Sequence, residues 1–564
     1  MSKKVVVIGG VAGGASTAAR VRRLDEQAEI IMFEKGPHVS FSNCSLPYHL
    51  SGIVEKSEKL LMMDPVQFKK KYNIEARVFH EVIGIQKEEK TVMVYDHATK
   101  QTVVESYDHL VLSPGASPIV PKLEGIEQPH VFTVRNVVDI ERLQQHMTQQ
   151  GVDNVAVIGG GFIGVEVAEN LRLAGKNVSL IEFAPQILAP FDDDMVQILH
   201  KELMDHGMNV ILNDGLARVD EQTVTLQSGK QVLADAVILA IGVRPDTKLA
   251  EEAGLKIGET GGIAVNQNYV TSDPNIYAVG DAIEVYHQVM RRYTRLALAG
   301  PAQKQARAAA DHMYGIVNRH RGVIGSSSIQ VFDYAAATTG INEKVARELG
   351  IPFDSVYVIA SDKVGLMPNS QPLHLKVVFE LPTGRVLGAQ AIGKGNADKR
   401  IDVIATLISF GGTIDDLKDL ELSYSPMYST AKDVVNMAAL VASNVLAGRF
   451  EQVHVSEARS LVESGAYILD VREAGEVKNG MLKGAVNIPL SELRDRLQEI
   501  PKDEPIYVHC RSAQRSYNAT VALTGAGFTN VKNMSGSYLG ICLYEYYRDV
   551  AEQREPIVTK YNFK

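Results

Sequence analysis

Two of the three cysteines in this 564-residue sequence lie in settings that suit thiol chemistry. Cys44 lies in the stretch Ser-Phe-Ser-Asn-Cys-Ser-Leu-Pro-Tyr, whose polar residues and proline argue against the apolar burial that free cysteines usually find. The fifth residue after Cys44 is His49, so no second cysteine is placed to form a local disulfide. A lone thiol of this kind would act through a mixed disulfide, a persulfide or a sulfenic acid.

Cys510 lies in a different setting, at the end of an apolar strand and before a predicted helix. The amides and dipole at a helix N-terminus stabilise a thiolate, and two arginines add positive charge. The third cysteine, Cys542, lies in the apolar run Gly-Ile-Cys-Leu-Tyr and is predicted to be structural. The candidate loop after Cys510 comprises Arg511, Ser512, Ala513, Gln514, Arg515 and Ser516.

A glycine-rich turn at residues 9–14 follows an apolar strand and precedes a helix and a second strand that ends in Glu34. This order is the one that a dinucleotide-binding fold requires. Gly9 permits the tight turn, Gly14 permits close packing of the helix, and Val11 occupies the place of the usual middle glycine. We expect Glu34 to accept hydrogen bonds from an adenosine ribose.

A second unit of the same kind begins at Val155, where a strand leads into a complete Gly-x-Gly-x-x-Gly motif at residues 159–164. Two such units imply two dinucleotides, FAD in the first and a nicotinamide in the second. Glu182 ends the following strand, where a carboxylate binds a ribose 2′-hydroxyl and repels a 2′-phosphate. Phe183 and Ala184 offer a phosphate no positive charge, so the sequence predicts NADH in preference to NADPH.

The motif around Cys44 and the Gly-Gly-Val-Ala-Gly-Gly form of the first turn resemble the single-cysteine pyridine nucleotide-disulfide oxidoreductases, specifically the coenzyme A-disulfide reductases. Ser45 departs from the Gly or Ala that is usual in that family. The segments 467–473 and 480–489 and the loop after Cys510 resemble a rhodanese domain, whose six-residue loop has the size for sulfur transfer. Ala513 replaces the glycine that is usual in that loop.

The resemblance implies an α/β chain with two Rossmann-like FAD/NAD(P)-binding domains, an α+β dimerisation domain and a C-terminal rhodanese-like α/β domain. The expected boundaries are residues 1–115 and 246–324 for the FAD-binding domain, 116–245 for the NAD-binding domain, 325–445 for the dimerisation domain, 446–455 for a linker and 456–560 for the rhodanese domain. It also implies a homodimer in which Tyr424 or Tyr428 of one subunit reaches the active site of the other.

The resemblance and the motifs together assign binding residues, and Ser16, Arg20, Arg23, Ser40 and Asn43 match family positions that hold coenzyme A. Contacts with the dinucleotide cofactors are expected from Gly9, Gly10, Ala12, Gly13, Gly14, Glu34, Lys35, Asn43, Ser113, Pro114, Gly115, Gly159, Gly161, Phe162, Ile163, Gly164, Glu182, Gly242, Gly280, Asp281, Pro301 and Ala302. Contacts with coenzyme A are expected from Ser16, Arg20, Arg23, Ser40, Asn43, Lys71, Gln303 and Lys432. No metal site is predicted.

Without the resemblance, several of these residues have a simpler structural explanation. Arg20 and Arg23 share one helix face and would serve equally as a solvated basic surface, and Lys71 belongs to a run of three lysines. A packing role is nearly as well supported for the two tyrosines. Met367 stands where the family has another tyrosine, which weakens strict specificity for coenzyme A disulfide.

The composition limits the partners. The formal net charge of −9 argues against a general nucleic-acid binder, and no apolar run reaches the roughly 18 residues of a membrane span. The first residues lead directly into a strand, so no signal peptide is predicted, and three widely separated cysteines suit a reducing compartment. A cytoplasmic protein that binds small thiols is therefore expected.

The activity implied by the resemblance is an FAD-dependent, NADH-driven reduction of sulfur–sulfur bonds. The expected substrates are coenzyme A persulfide or polysulfide, coenzyme A disulfide and small-thiol persulfides, with Cys44 attacking sulfur and Cys510 carrying sulfane sulfur. One alternative is an NADH oxidase or peroxidase in which Cys44 cycles through a sulfenic acid, although those relatives carry a histidine where this sequence has Ala12. Another alternative is a sulfur-carrier protein whose flavin half is inactive.

Overall fold

The computed structural model describes residues 3–563, which divide into two compact units. The first unit comprises the residues up to Pro185 together with Ile211–Val323, and the second comprises Gln186–Val210 together with the residues from Ile324 onward. No helix within the described residues is long and apolar enough to cross a membrane.

The first sheet of the first unit is parallel, and its central strand is the apolar run that precedes the first glycine turn. Because consecutive side chains point to opposite faces, the complete burial of Val5, Val6 and Val7 means that both faces are covered. The helix Ala12–Leu24 follows this strand, as the sequence predicts for the element after the glycine turn. The strand order is Ile276–Ala278, His109–Leu112, Lys4–Ile8, Glu29–Glu34 and Glu75–Val78.

The second sheet repeats this plan around the second glycine turn. The helix Phe162–Leu173 follows the strand Asn154–Ile158, so the turn again joins a buried strand to a helix. The strand Asn209–Ile211 contains the division between the two units. Four parallel strands follow the order Asn177–Ile181, Asn154–Ile158, Ala236–Leu239 and Val131–Thr133.

Shorter elements complete the first unit. Its antiparallel sheets are His80–Gln86, Thr91–Asp96 and Gln101–Ser106; Leu216–Val219, Thr223–Leu226 and Gln231–Leu233; Ala116–Pro118 with Val243–Pro245; and Val285–His287 with Arg292–Thr294. Its other helices are Leu46–Leu50, Pro65–Tyr72, Val137–Gln149, Lys248–Glu252 and Ala299–Met313.

An antiparallel sheet forms the first part of the second unit. Its buried strands supply the core, and helices pack against it. The strand order is Ser327–Val331, Tyr334–Gly340, Val386–Gly393, Pro372–Glu380 and Phe353–Ser361. The helices that accompany it along the chain are Glu343–Glu348, Ala397–Ser409, Ile414–Lys418 and Val434–Leu446.

The helix Asp193–Asp205 also belongs to this unit, although the sequence assigns its residues to the NAD-binding domain. Its first turn is fastened by Lys376, whose side chain is 2% exposed and forms ion pairs with Asp192 at 3.3 Å and Asp194 at 2.8 Å. Glu343 pairs with the same ammonium at 2.7 Å. Three carboxylates therefore surround one buried lysine and tie this helix to the antiparallel sheet.

The C-terminal module, residues 451–563, is a parallel sheet flanked by helices. The loop that carries Cys510 leaves the carboxyl end of the central strand Ile506–His509, the edge where α/β sheets bind ligands. The strand order is Glu451–Val453, Val531–Met534, Ile506–His509, Tyr467–Asp470 and Val486–Asn487, and the helices are Ala458–Glu463, Ala474–Val477, Gln514–Gly525 and Ser537–Ala551. Together the sheets confirm the predicted fold class.

Candidate active site

The first glycine turn brings two segments of the predicted cofactor set into contact. Gly9 has a φ of +94°, and a Cβ added there would lie 2.0 Å from the carbonyl oxygen of Ser113. A Cβ at Gly14 would lie 1.8 Å from the carbonyl oxygen of Gly9, so the helix packs directly on the turn. Glycine is therefore required at both positions, as the sequence predicts.

The two acidic residues at the strand ends occupy equivalent places. Glu34 accepts hydrogen bonds from the amides of Gly10 at 3.0 Å and Gly36 at 2.9 Å. Glu182 accepts from the amides of Gly160 at 2.5 Å and Ala184 at 2.7 Å. A carboxylate has four lone-pair sites, so each retains acceptor capacity for a ribose hydroxyl.

The second turn leaves room for a phosphate. A Cβ at Gly159 would lie 2.3 Å from the carbonyl oxygen of Ala240, and one at Gly164 would lie 1.9 Å from the carbonyl oxygen of Gly159. A Cβ at Gly161, by contrast, would meet nothing within 4 Å. Open space at the N-terminus of Phe162–Leu173 fits a pyrophosphate on the helix amides. Ile163 is an exposed side chain in the first turn of that helix.

The remaining cofactor candidates lie at turns of the first unit. Gly115, Gly242 and Gly280 have positive φ values of +77°, +114° and +83°. The amide of Gly280 donates to the side chain of Gln305 at 2.7 Å, which fixes the turn against the helix Ala299–Met313. Pro301 and Ala302 lie in the first turn of this helix.

Cys44 lies in a single 3₁₀ turn, Asn43–Ser45, and its thiol is exposed. The turn leads into the short helix Leu46–Leu50, which packs against Phe162–Leu173. Ser51 donates a hydrogen bond to the side chain of Asn170 at 2.6 Å, which fastens the end of the short helix to the longer one. The lone thiol is thus held beside the helix that begins at the second glycine turn.

The charges around Cys44 oppose formation of a thiolate. Although Cys44 is exposed, partial desolvation by the surrounding protein atoms and the nearby carboxylates of Glu166 and Asp281 raise the pKa of its thiol. Burial and Glu169 raise the pKa of Glu166 to about 7, and burial and the same two glutamates raise the pKa of Tyr48 to about 12. The sequence places Cys44 in a setting that suits thiol chemistry, but the protein groups around it do not lower the pKa of its thiol. Sequence reasoning also missed Glu166 as a neighbour of Cys44.

We expect Glu166→Gln to make Cys44 react faster with iodoacetamide. At pH 8 the Glu166 carboxylate is ionised, because its pKa is about 7. Removing this charge lowers the pKa of Cys44 and raises the thiolate fraction by about threefold. The alkylation rate of the reduced enzyme, followed from pH 6 to pH 9, measures the shift. Glu141→Gln, which removes an exposed carboxylate, serves as the control, and an identical profile in Glu166→Gln would contradict the assignment.

The coenzyme A candidates of the first unit differ in their availability. Arg20 donates to Asp311 at 2.6 Å, so its charge is compensated by a buried carboxylate. Arg23 is exposed and lies 5.9 Å from the ring centre of Tyr72, next to the exposed Lys71. Arg23 and Lys71 are therefore exposed cations, whereas Arg20 is paired with a carboxylate, and the contacts of all three with coenzyme A stay predictions. Ser16 and Ser40 are half-buried, and Asn43, Gln303 and Lys35 are exposed.

The candidates of the second unit lie on one loop. Tyr424 and Tyr428 are 51% and 71% exposed, which disfavours the packing alternative, and Lys432 is exposed nearby in the sequence. Arg400 holds the loop, since it donates to the carbonyl oxygen of Tyr428 at 3.2 Å and to the carboxylate of Asp433 at 2.9 Å. Their role toward a second subunit stays a prediction.

Cys510 is 1% exposed, at the end of the central strand of the C-terminal module. Its amide donates to the hydroxyl of Ser537 at 3.1 Å. The carbonyl oxygens of Cys510 and Arg511 accept from the amides of Tyr538 and Leu539 at 3.0 and 3.1 Å. The helix Ser537–Ala551 therefore holds the loop through its first turn.

The loop after Cys510 is shorter than the sequence predicts. The helix begins at Gln514, so Gln514, Arg515 and Ser516 lie in its first turn instead of extending the loop. Ala513 has a φ of +72°, in the left-handed region that favours glycine, which agrees with the glycine expected at this position. Ser512 remains in the loop proper.

The two arginines do not contribute charge equally. Arg515 forms two hydrogen bonds with Glu476, at 2.6 and 2.8 Å, so its charge is compensated by a residue that the sequence analysis did not single out. Arg511 donates to the carbonyl oxygen of Asn562 at 3.2 Å, and among residues 3–563 no carboxylate forms an ion pair with it. Cys542 is fully buried and burial raises its pKa, which agrees with a structural role.

Comparisons with known proteins match each part of this chain. The models of the pyridine nucleotide-disulphide oxidoreductases, their dimerisation domain and the rhodanese-like domain match residues 3–306, 326–434 and 454–543. A coenzyme A disulfide reductase from Staphylococcus epidermidis is 36% identical over 435 residues, which are 77% of this chain and 98% of that protein.

Two solved structures are similar over nearly the whole length. Reduced CoADR-RHD from Bacillus anthracis is 45% identical, with a TM-score of 0.94 over 97% of this chain and 99% of that one. An NAD-dependent persulfide reductase from A. fulgidus is 36% identical, with a TM-score of 0.91 over 95% of this chain and 99% of that one.

Proposed function

The chain belongs to the pyridine nucleotide-disulphide oxidoreductase family, and from this premise we propose that it uses NADH to reduce sulfur–sulfur bonds of small thiols at Cys44. The substrates we propose are coenzyme A persulfide or polysulfide, coenzyme A disulfide and small-thiol persulfides. The observation that carries the proposal is the single exposed thiol of Cys44, held against the helix of the second nucleotide turn without a second cysteine nearby in the sequence.

The chemistry of Cys44 follows from its being alone. Its thiolate attacks coenzyme A disulfide, the substrate's sulfur–sulfur bond breaks, and one coenzyme A thiolate leaves as a mixed disulfide forms. With coenzyme A persulfide, attack on the sulfur bonded to carbon gives the same mixed disulfide and releases hydrosulfide. Two electrons and one proton then split it into the Cys44 thiolate and the coenzyme A thiol. When bound, FAD would supply that electron pair, which originates from NADH.

The chain's own cations support coenzyme A as the carrier. Arg23 and Lys71 are exposed on neighbouring elements of the first unit, where they offer charge to the nucleotide phosphates. We propose that Tyr424 and Tyr428 serve the site of the other subunit in a homodimer, in keeping with their exposure and with the dimerisation domain.

Cys510 supplies the second half of the proposal. Its thiolate attacks the sulfane sulfur of thiosulfate, sulfite leaves, and a persulfide forms on Cys510. A coenzyme A thiolate then takes the outer sulfur, which regenerates the Cys510 thiolate and produces coenzyme A persulfide, the substrate of Cys44. Cys510 is buried three residues before Ala513, the N-cap of the helix Gln514–Gly525, and the Ser537 hydroxyl lies 4.0 Å from its sulfur. Both features support this role, since a helix N-terminus and a hydroxyl donor stabilise an anionic sulfur.

A steady-state comparison of coenzyme A disulfide, coenzyme A persulfide and polysulfide, with NADH as the reductant, tests the substrate class. We expect stoichiometric NADH oxidation with thiol and sulfide formed, and little oxygen consumed. NADH oxidation matched by oxygen uptake in the absence of any sulfur substrate would instead support the oxidase alternative.

We expect kcat/KM for NADH to exceed that for NADPH by about a hundredfold, because apposing a 2′-phosphate and the Glu182 carboxylate costs several kcal/mol. The two residues after Glu182 are uncharged, Phe183 and Ala184, and Phe183 is 70% exposed. Initial rates of flavin reduction with each nucleotide measure the ratio. Glu182→Ser should lower the ratio of kcat/KM for NADH to that for NADPH, and the control Glu221→Ser, at an exposed position, should not change this ratio. Equal kcat/KM values for the two nucleotides in the wild type would refute the preference for NADH.

A further inference from the structure

The rhodanese family model ends at residue 543, inside the helix Ser537–Ala551, which we name the connector helix. The connector helix and residues 557–563, named the clasp segment, extend beyond that match. This extension packs against the helix Asp193–Asp205, whose residues lie within the sequence range expected for NAD binding. The contacts therefore join two stretches of chain that neither family description relates.

Asp193 is the centre of this contact. Both of its carboxylate oxygens accept hydrogen bonds from the guanidinium of Arg548, and one also accepts from the hydroxyl of Tyr544 at 3.0 Å. Arg548 lies 4.3 Å from the ring centre of Tyr544, so the three side chains form one cluster. Its hydrogen bonds are charge-assisted and partly buried, the kind that holds a fixed geometry.

Aromatic contacts extend the same interface. The rings of His200 and Tyr547 lie 4.8 Å apart, and the Tyr547 hydroxyl donates to the carbonyl oxygen of Val210 at 3.2 Å. The ammonium of Lys201 lies 4.4 Å from the ring centre of Phe563 in the clasp segment. The second half of the connector helix and the clasp segment are thus both docked on Asp193–Asp205.

The other end of the connector helix holds the sulfur-transfer loop. Ser537 accepts from the amide of Cys510, and the next two amides of the helix donate to the loop carbonyls. The clasp segment reaches the same loop, because the carbonyl oxygen of Asn562 accepts from Arg511 at 3.2 Å. It is fastened in turn to the connector helix, where Tyr538 donates to the carbonyl oxygen of Lys560 at 2.5 Å.

We propose that Asp193 is a positioning residue for Cys510, acting through the connector helix and the clasp segment. The connector helix has 15 residues and spans about 22 Å, so anchoring its far half fixes the direction in which its first turn meets the loop. Lys376 holds the helix Asp193–Asp205 to the antiparallel sheet, which makes that helix a fixed support. This inference rests on the proposed sulfur transfer at Cys510.

The test uses the full-length enzyme with Asp193→Asn, Asp193→Glu, Arg548→Gln and the double variant Asp193→Asn/Arg548→Gln. We expect kcat for sulfur transfer from thiosulfate to cyanide to fall about tenfold in Asp193→Asn and in Arg548→Gln, since small misplacements of reacting groups lower the rate strongly. Asp193→Glu should recover most of the activity. The double variant should be no worse than the single ones, because both remove one shared interaction.

Hydrogen exchange separates positioning from general loss of structure and does not depend on sulfur transfer. In Asp193→Asn, amides of residues 510–516 and 537–541 should exchange faster, while the strand Tyr467–Asp470 should be unchanged. The control Asp415→Asn breaks an exposed ion pair with Lys418 and should change neither readout.

Three results would overturn the inference: wild-type exchange in Asp193→Asn, equally faster exchange in the strand, or additive losses in the double variant. If the wild-type enzyme had no sulfur-transfer activity with thiosulfate but Asp193→Asn showed the expected faster exchange, the proposed sulfur transfer would be refuted. The positioning of the Cys510 loop by Asp193 would still be supported.

Discussion

Cys44→Ser should lower the reduction of coenzyme A disulfide and coenzyme A persulfide by at least about a thousandfold, because a serine cannot form the mixed disulfide. Flavin reduction by NADH should persist near the wild-type rate. Hydride transfer depends on the two nucleotide turns, and their hydrogen bonds to Glu34 and Glu182 do not involve Cys44. Stopped-flow bleaching of the flavin and steady-state sulfide release measure the two halves separately.

Cys510→Ser serves as the matched control for this variant, since it also replaces one thiol by a hydroxyl. It should retain reduction of preformed coenzyme A persulfide. If Cys44→Ser reduced that substrate at the wild-type rate, Cys44 would not be the attacking thiol. If Cys44→Ser also lost flavin bleaching by NADH, the substitution would have disturbed the nucleotide sites. The assignment of Cys44 as the attacking thiol would then be tested with Cys44→Ala.

Cys510→Ser should lower transfer of sulfur from thiosulfate by about a thousandfold or more, because the rhodanese loop then has no thiol on which a persulfide can form. Reduction of preformed coenzyme A persulfide should stay within about threefold of the wild type, since that step belongs to Cys44. Cyanide-dependent thiocyanate formation and NADH oxidation, measured on the same preparation, give both numbers.

The division of labour between the two cysteines is the point at issue. If reduction of ready-made coenzyme A persulfide fell as far as sulfur transfer, Cys510 would take part in the reductive step and the division would be wrong. The carrier role of coenzyme A has its own check, because thiosulfate-driven NADH oxidation by the wild type should require added coenzyme A.

Features encoded within a short stretch of sequence were predictable. Gly9 and Gly159 are required because a Cβ there would clash with the backbone of Ser113 or Ala240. The acids Glu34 and Glu182 lie where strand, turn and helix must place them. The strand and helix around Cys510 were equally evident. These features depend on local periodicity and on glycine stereochemistry, which a single sequence displays directly.

Features that depend on distant partners were not predictable. The sequence predicts Arg20 to be a surface cation, but in the structure its charge is compensated by Asp311, which is 291 residues away along the chain. The sequence predicts Arg515 to add positive charge to the loop, but in the structure Arg515 forms an ion pair with Glu476. The repulsion of a Cys44 thiolate by Glu166 has the same origin. Ion pairs form between side chains that the fold brings together, and their spacing along the chain carries no signal.

The docking of the connector helix has a consequence for dissecting the protein. A fragment cut before residue 454 to isolate the rhodanese region would expose Tyr544 and Tyr547, which are 8% and 6% exposed in the intact chain. It would also leave Arg548 without its carboxylate. Contiguous aromatic surface of this kind promotes self-association. The rhodanese region is therefore poorly suited to expression as an isolated domain. A fusion protein that includes this region should include the helix Asp193–Asp205 as well.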